Sequence, residues 1–158
     1  MDKQEFDAVV AAPGFALGVR CNDTEVTEII FLPPQAETAP RSPLAAETSR
    51  QLHAYLADAG FRFDLPLAAT GTDYRRRVWR AISSIPRGEV RTYGEPACAL
   101  ASAPRAVGQA CGANPLPVVV PCHRVVARSG ALGGFAHSRG GLLLDIKRWL
   151  LNHEGCPR

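Results

Sequence analysis

The chain has 158 residues, enough for one domain or two small ones, and its apolar fraction of 46% and charged fraction of 21% are ordinary for a globular protein. No apolar run approaches the ~18 residues of a membrane span, and the N-terminus lacks the basic and apolar regions of a secretory signal, so we expect a cytoplasmic protein. The five cysteines are scattered without a CxxC pair, which argues against a disulfide framework and a structural zinc site.

Charge is distributed unevenly along the chain. Residues 1–70 carry 5 Lys and Arg against 10 Asp and Glu, whereas residues 71–158 carry 13 against 5, and Lys147 is the only lysine of that second part. Arginine suits contacts with phosphates and DNA grooves because its planar guanidinium presents five donors. A solvated basic face would give the same counts, but the asymmetry makes a nucleic acid the leading candidate partner of the second part.

The first part, residues 1–70, is predicted to be a small α/β module. Residues 15–32 alternate and are rich in Val, Ile, Thr and Phe, and the turn signal Asn22-Asp23 divides them into a β-hairpin. The further predicted elements are a proline-rich loop over 33–43, a helix over 44–59, a short strand over 61–65 and a linker over 66–71. We assign no chemistry to this part.

The second part, residues 71–158, is predicted to be mainly helical. A helix capped by Thr72 or Asp73 stops at Pro86-Arg87-Gly88, and two short helices with a brief turn between them follow, which is a helix-turn-helix pattern. The predicted bounds are 92–100 and 103–113 for the two short helices, with Ser102 as N-cap of the second, 116–120 for an extended apolar segment, 129–141 for a glycine-rich loop and 142–153 for a final helix.

The run Pro121-Cys122-His123-Arg124 is the first candidate site. A cysteine attacks as its thiolate, and a nearby imidazole or guanidinium favours that form. Side chains of neighbouring residues in a strand point in opposite directions, so Cys122 and His123 can act together only if the chain turns at 122–124. Taken alone, such a Cys-His pair is more typical of a buried structural cysteine, and both interpretations stay open at this point.

The second candidate is one face of the helix predicted over 103–113. Its members, spaced i, i+3, i+4 and i+7, are Arg105, Gly108, Gln109 and Gly112. This face offers one long cation and nearly bare backbone, which lets the helix approach a ligand or a narrow groove closely. A recognition helix in the major groove usually carries several long polar side chains instead. Tight packing against another helix would select the same small residues.

Both candidates point to one family. The run Arg105-Ala106-Val107-Gly108-Gln109-Ala110-Cys111-Gly112-Ala113-Asn114-Pro115, followed by Pro121-Cys122-His123-Arg124-Val125, closely resembles the O6-alkylguanine-DNA alkyltransferases, also called methylated-DNA–protein-cysteine methyltransferases. The resemblance is strong over residues 72–155 and weak before them. It implies an α/β N-terminal domain over 1–70, then a mainly α-helical catalytic domain over 71–158 with a winged-helix-like helix-turn-helix and the active-site cysteine.

The resemblance also implies a role for each matching residue. Cys122 matches the alkyl-accepting cysteine, His123 the histidine that deprotonates it through a water, and Glu154 the glutamate that orients this histidine, as in a catalytic triad. The other implied roles are Asn114 tying the helix turn to the cysteine segment, Tyr93 rotating the target nucleotide and hydrogen-bonding the leaving guanine, Arg105 filling the vacated stack, Val125 offering a carbonyl to the guanine amine, and Phe135 walling the pocket. The predicted DNA contacts are Arg105, Ala106, Gly108, Gln109, Gly112 and Arg124.

The implied function is the repair of double-stranded DNA that contains O6-alkylguanine, with O4-alkylthymine as a second candidate substrate. The target base must be flipped out of the stack at a cost of a few kcal/mol, and an inserted side chain offsets part of that cost. A thioether on Cys122 has no easy hydrolysis, so the protein is expected to act once. We expect a monomer that needs no metal, no cofactor and no protein partner.

Two other functions fit parts of the pattern. An alkyltransferase-like protein would bind and flag the damaged base without repairing it, but such proteins lack the acceptor cysteine that is present here as Cys122. A cysteine hydrolase that uses Cys122 and His123 would leave the Arg105 helix unexplained, and no oxyanion-hole motif is evident.

Several positions depart from the family pattern. Pro96 replaces an apolar helix former, so the first short helix is expected to begin later than Thr92, which bears on the position of Tyr93. The segment 136–145 is longer than usual and bears on the size of the substrate pocket. Cys21 and His53 are too sparse to form the zinc site that some members carry in the N-terminal domain.

Overall fold

The computed structural model describes residues 5–128, 132 and 141–156. The chain divides into two compact units, Met1–Ala68 and Ala69–Arg158. Within the described residues, no helix is both long enough and apolar enough to cross a lipid bilayer.

The first unit is an antiparallel sheet with one helix. Its elements are β1 (Ala8–Ala12), β2 (Phe15–Cys21), β3 (Val26–Leu32) and α1 (Pro43–Ala57), and the strands pair in the order β1-β2-β3. The predicted hairpin and helix are confirmed. The sequence did not predict β1, because Ala8, Val9 and Val10 are all buried and the strand therefore lacks the alternation of a half-exposed one.

The strand predicted over 61–65 is wrong. In its place the chain runs as an irregular segment whose backbone is held by a side chain of α1. Gln51 accepts a hydrogen bond from the backbone N–H of Asp64 at 2.8 Å and donates one to the carbonyl of Asp64 at 3.0 Å. Because this buried amide satisfies both backbone groups, the segment needs no strand partner at that point.

The second unit is mainly helical, as predicted. Its elements are α2 (Asp73–Ser83), β4 (Arg91–Thr92), α3 (Gly94–Ala99), α4 (Pro104–Gly112), a short 3-10 helix (Cys122–Arg124), β5 (Val125–Val126) and α5 (Gly141–His153), and β4 pairs with β5 in parallel. The Thr72 hydroxyl caps α2 by accepting from the N–H of Arg75 at 3.1 Å. The core includes Val78, Ile82, Val107, Ala110, Ile146 and Leu150.

Helix α3 begins at Gly94, later than Thr92, as the proline implied. Pro96 lies in the first turn, where a backbone N–H has no acceptor within the helix, so its missing donor removes no helical hydrogen bond. Glu95 reaches back and accepts from the N–H of Thr92 at 2.9 Å. These contacts fix the start of α3 directly after Tyr93.

A tight turn joins α3 to α4, and Ser102 is not the N-cap that was predicted. Ala101 has a left-handed backbone with φ of 54°, and the N–H of Ser102 donates to the carbonyl of Ala97 at 2.7 Å, as in a Schellman motif. Ala103 occupies the N-cap position of α4. The Ser102 hydroxyl lies 2.6 Å from the hydroxyl of Tyr74 on α2 instead, so it links the turn to that helix.

The extended segment predicted over 116–120 is also wrong, because the chain folds back on itself there. The N–H of Val120 donates to the carbonyl of Leu116 at 2.9 Å. Val118 has φ of 76°, a conformation that a β-branched residue rarely adopts and that costs about 1–3 kcal/mol. The three consecutive valines have strand composition, but the contacts of this turn override it.

Candidate active site

Cys122 begins the 3-10 helix, which the chain enters through a sharp turn. Pro121 has φ of −83° and ψ of 63°, and the N–H of Cys122 donates to the carbonyl of Val120 at 2.8 Å, which is an inverse γ-turn. The N–H of Arg124 then donates to the carbonyl of Pro121 at 2.9 Å. The chain therefore turns at 122–124, which is the condition under which Cys122 and His123 can serve one site.

Asn114 holds both ends of the turn that precedes the cysteine. Its Nδ2 donates to the carbonyl of Val120 at 2.9 Å and to Sγ of Cys122 at 3.3 Å, and its Oδ1 accepts from the N–H of Leu116 at 2.9 Å. One side chain thus connects the end of α4 to the cysteine segment. Its hydrogen bond to the sulfur favours the thiolate form of Cys122.

His123 and Glu154 form a buried pair at the centre of the site. Nε2 of His123 lies 2.9 Å from Oε2 of Glu154, and both side chains are almost fully shielded from solvent. Arg124 donates to the same carboxylate from Nε at 2.9 Å and from Nη2 at 3.0 Å. A carboxylate held by a guanidinium accepts hydrogen bonds, so we assign the imidazole hydrogen to Nε2.

This tautomer leaves Nδ1 of His123 as a hydrogen-bond acceptor. Nδ1 is buried, and no described residue provides it with a hydrogen-bond partner. Burial lowers the pKa of His123 below its ordinary value, against the opposing effect of Glu154. The imidazole is therefore neutral at neutral pH and can accept a proton at Nδ1.

Glu154 owes its position to the way α5 ends. Gly155 has a left-handed backbone with φ of 88°, and the N–H of Cys156 donates to the carbonyl of Leu151 at 2.8 Å, which completes a Schellman motif. The N–H of Glu154 still donates to the carbonyl of Leu150 at 3.0 Å. The glycine thus ends the helix, and Glu154 lies directly after its last residue, His153, with its backbone bonded to the last turn of α5.

Two opposing influences act on the thiol of Cys122. Contact with the Cys111 thiol and then burial raise its pKa well above the ordinary value, whereas Asn114 and Lys147 lower it by smaller amounts. The side chain is therefore a thiol at neutral pH in the resting protein. A base must remove this proton before the sulfur can attack.

Lys147 belongs to the site, although sequence analysis assigned it no role beyond its charge. Its Nζ donates to the carbonyls of Val125 at 2.8 Å and Leu132 at 2.6 Å and lies 5.8 Å from the centre of the Tyr93 ring. Burial lowers its pKa to about 8. Its spacing from Leu150 and Leu151 places it on the apolar face of α5, and that spacing was the signal for a buried lysine.

The predicted DNA-facing set lies mainly on one face of α4. Arg105 and Gln109 are exposed, while Ala106, Gly108 and Gly112 are half-buried. A Cβ built on Gly108 would make an ordinary van der Waals contact with the Tyr93 ring at 3.9 Å, so this ring lies directly beside α4. The structure therefore brings Tyr93 between α4 and Lys147.

Arg124 differs from the DNA contact that was predicted for it. Its side chain is only 13% exposed, and Nη1 donates to the carbonyl of Ile85 at 2.6 Å while its other nitrogens bind Glu154. The guanidinium is thus committed inside the protein because it balances a buried carboxylate. The carbonyl of Val125 already accepts from Lys147 but retains a second lone pair. Phe135 and residues 136–140 of the long segment lie outside the described residues.

No three His, Cys, Asp or Glu side chains come together as a metal site within the part of the chain that the structure describes. Sγ of Cys21 lies 3.8 Å from the Ser42 hydroxyl, and Nε2 of His53 lies 2.9 Å from a carboxylate oxygen of Glu37. These two residues therefore have separate partners in the first unit.

Comparison with known proteins identifies the family. Residues 73–156 match the model described as 6-O-methylguanine DNA methyltransferase, DNA binding domain. The methylated-DNA–protein-cysteine methyltransferase of Methanosarcina acetivorans is 48% identical over 111 residues, which are 69% of this chain and 68% of that protein. The constitutive enzyme of the same name from Bacillus subtilis is 45% identical over 115 residues, 72% of this chain and 67% of that protein.

A solved structure gives the same result at the level of the fold. The crystal structure of Mycobacterium tuberculosis OGT in complex with DNA superposes with a TM-score of 0.77 and 36% identity, over 93% of this chain and 91% of that one. A small N-terminal sheet followed by helices is therefore the architecture of an alkyltransferase. The chain belongs to the family of 6-O-methylguanine DNA methyltransferases.

Proposed function

We propose that this protein repairs O6-alkylguanine in double-stranded DNA by transferring the alkyl group irreversibly to Cys122. The observation that carries the proposal is the hydrogen-bonded chain from Glu154 to His123, which leaves a buried imidazole nitrogen as a base in the segment that holds the thiol. Membership of the family and similarity to a relative in complex with DNA support it.

The reaction begins with a proton transfer from Cys122 to Nδ1 of His123, through a bridging water as the resemblance implies. The thiolate then attacks the alkyl carbon, so that a sulfur–carbon bond forms while the carbon–O6 bond breaks and its electrons stay on the guanine. Glu154 stabilises the imidazolium that forms, and the Tyr93 hydroxyl supplies a hydrogen bond to the leaving base. The thioether is stable to water, so each molecule acts once.

DNA contacts this protein through α3, the turn and α4, which together act as a winged-helix-like helix-turn-helix. Arg105 lies in the first turn of α4 and is exposed, and small residues follow it on the same face. This combination suits entry of α4 into the minor groove, with the guanidinium filling the space of the flipped base. The carbonyl of Val125 and the ring of Phe135 are proposed to bind the base itself.

We further propose that the protein acts as a monomer in the cytoplasm. O4-alkylthymine is a second candidate substrate, which the same assay can test. The lesion-flagging alternative predicts binding without chemistry. Cys122 disfavours that alternative because the acceptor thiol is present and is held by Asn114 at 3.3 Å.

Mass spectrometry of one peptide tests the transfer. Trypsin should release residues 106–124, which contain Cys111 and Cys122 but no internal Lys or Arg. After incubation with a duplex that carries O6-methylguanine, we expect this peptide to gain one methyl group, located on Cys122 by fragmentation. A duplex with unmodified guanine and the variant Cys122→Ala should show no gain. Tight binding of the lesion by the wild-type protein without a gain in mass would favour the flagging role.

A further inference from the structure

Helix α2 carries a concentration of positive charge that the transfer mechanism does not use. Four of its 11 residues are arginines, and Asp73 is its one acidic residue. Arg76 pairs with Asp73, but within the described part of the chain no carboxylate lies in salt-bridge distance of Arg77 or Arg80, which are both exposed. Like charges one helical turn apart repel each other, so an anionic partner would stabilise this face.

Arg77 lies beside the turn of the helix-turn-helix. Its guanidinium carbon is 5.8 Å from the centre of the Tyr74 ring, and the Tyr74 hydroxyl lies 2.6 Å from that of Ser102, in the turn between α3 and α4. The indole N–H of Trp79 donates to the carbonyl of Ala110 at 2.8 Å, so α2 is also bonded to the body of α4. These contacts fix Arg77 next to the elements that the proposed function places on DNA.

Arg77 and Arg80 share one side of α2, whereas the exposed Arg75 lies on another. In a helix of about 3.6 residues per turn, positions three apart are separated by roughly 60° and about 4.5 Å of axis, and positions two apart by roughly 160°. A DNA strand carries one phosphate per ~3.4 Å of helix axis. Two long guanidinium side chains at the spacing of Arg77 and Arg80 can therefore reach neighbouring phosphates of the same strand.

We propose that Arg77 and Arg80 form a second DNA-binding surface, which holds phosphates of one strand beside the part of the duplex that α4 enters. The inference rests on the proposed function for its partner, a DNA duplex. Phosphate contacts set the register and orientation of a protein on DNA without reading its sequence. That suits a protein whose target is a damaged base in any sequence. The surface adds affinity for the duplex and takes no part in the alkyl transfer.

The salt dependence of binding to an unmodified duplex, measured by fluorescence anisotropy, tests this surface. Each lost phosphate contact lowers the slope of log affinity against log salt by about 0.9. We expect that loss in Arg77→Ala and in Arg80→Ala, and about twice that loss in the double variant. Arg75→Ala is the matched control, because it removes the same charge from another side of α2 and should keep the wild-type slope. Arg77→Lys should restore most of the slope, and melting temperatures verify that each variant folds.

Two results would overturn the surface: a double variant with the wild-type slope, or an equal loss of slope in Arg75→Ala, which would mean that only the net charge matters. Methyl transfer by the wild-type protein separates this inference from the proposed function. If no methyl group is transferred from an O6-methylguanine duplex while the slopes change as expected, the proposed repair fails and the surface stands. If the methyl group is transferred and the double variant keeps its slope, the surface fails and the repair stands.

Discussion

Glu154 is the buried carboxylate that connects His123 with Arg124 in the candidate site. Its buried carboxylate accepts hydrogen bonds from Nε2 of His123 and from two nitrogens of Arg124. It therefore sets the tautomer of the histidine and compensates the charge of the arginine. Removing one member of such a buried group leaves another charge without compensation, which is strongly destabilising.

The variant Glu154→Gln should lose most of the transfer activity. A neutral amide cannot stabilise the imidazolium, so we expect transfer to slow by about 10²-fold or more, and the free energy of unfolding should fall by about 3–5 kcal/mol because Arg124 loses its counter-charge. Single-turnover kinetics and thermal unfolding measure the two effects. The control is Asp145→Asn, which removes an exposed carboxylate paired with Arg148. Unchanged transfer in Glu154→Gln would contradict the role of the pair.

The transfer rate should depend on pH through His123. Because burial lowers the pKa of this imidazole below 6.5, the basic form persists as the pH drops from neutrality through that value. We expect the rate to keep more than half of its plateau value at pH 6.5 and to fall further at lower pH. The free energy of unfolding should also decrease below pH 6.5, because His123 binds a proton more tightly in the unfolded chain than in the folded protein. Melting temperatures should therefore be measured at each pH at which the rate is measured. A rate that is already halved well above 6.5 would argue against His123 as the base.

Among the elements, the turn between α4 and the 3-10 helix determines where the sulfur lies. It contains the left-handed Val118, and the side chain of Asn114 holds its backbone. A strained turn persists only where its surroundings over-determine it. The amide of Asn114 supplies that determination, since it binds backbone on both sides of Val118.

Replacing Asn114 by Ala should therefore affect both stability and rate. The buried backbone groups that it satisfies would lose their partners, at a cost of about 1–3 kcal/mol in the free energy of unfolding. Loss of a hydrogen bond to the thiolate should slow transfer about tenfold or more. Chemical denaturation and single-turnover assays measure these effects. Asn152→Ala, on the exposed face of α5, is the matched control and should leave both unchanged.

Helix α4 presents Arg105 in its first turn, next to a face of small residues. In the proposed function this side chain assists base flipping and takes no part in the alkyl transfer, so the two steps can be tested separately. Arg105→Ala should slow repair of O6-methylguanine in a duplex about tenfold or more, because the flipped state loses the side chain that offsets unstacking. Reaction with free O6-benzylguanine needs no flipped base and should change little. The exposed Arg148 provides the control Arg148→Ala. Equal slowing with both substrates would mean that Arg105 acts on the chemistry instead.

For the molecule as a whole, the net positive charge of residues 71–158 should make the affinity for DNA depend on the salt concentration. Because 13 basic residues there oppose 5 acidic ones, binding to a duplex should release counterions from the phosphates. For about four phosphate contacts, affinity should fall roughly hundredfold between about 50 and 200 mM salt. Fluorescence anisotropy with an unmodified duplex measures this slope, and the reaction with free O6-benzylguanine should show none of it. An affinity independent of salt would remove phosphate contacts from the proposal.

Prediction from the sequence succeeded where a pattern is local. The hairpin over 15–32, helix α2 with its Thr72 cap and helix α5 follow from periodicity, turn residues and capping, all of which act within a few residues. Prediction failed where a side chain distant in the sequence forms the hydrogen bonds to a segment's backbone that a neighbouring strand would otherwise form. Gln51 holds the segment that was predicted as a strand over 61–65, and Asn114 holds the turn that was predicted as extended.

The family, the candidate acceptor Cys122 and the neighbouring His123 were predictable before folding, because they depend on residue identity and order. Folding was needed to show that Arg124 faces inward, that Lys147 is buried and that Asn114 binds the acceptor sulfur. A sequence pattern shows which chemical groups are present. It does not show which of them become buried, or which groups from different helices and strands come into contact. Desolvation and contact between distant residues set the tautomer, the protonation state and the neighbours of the sulfur, and these arise only on folding.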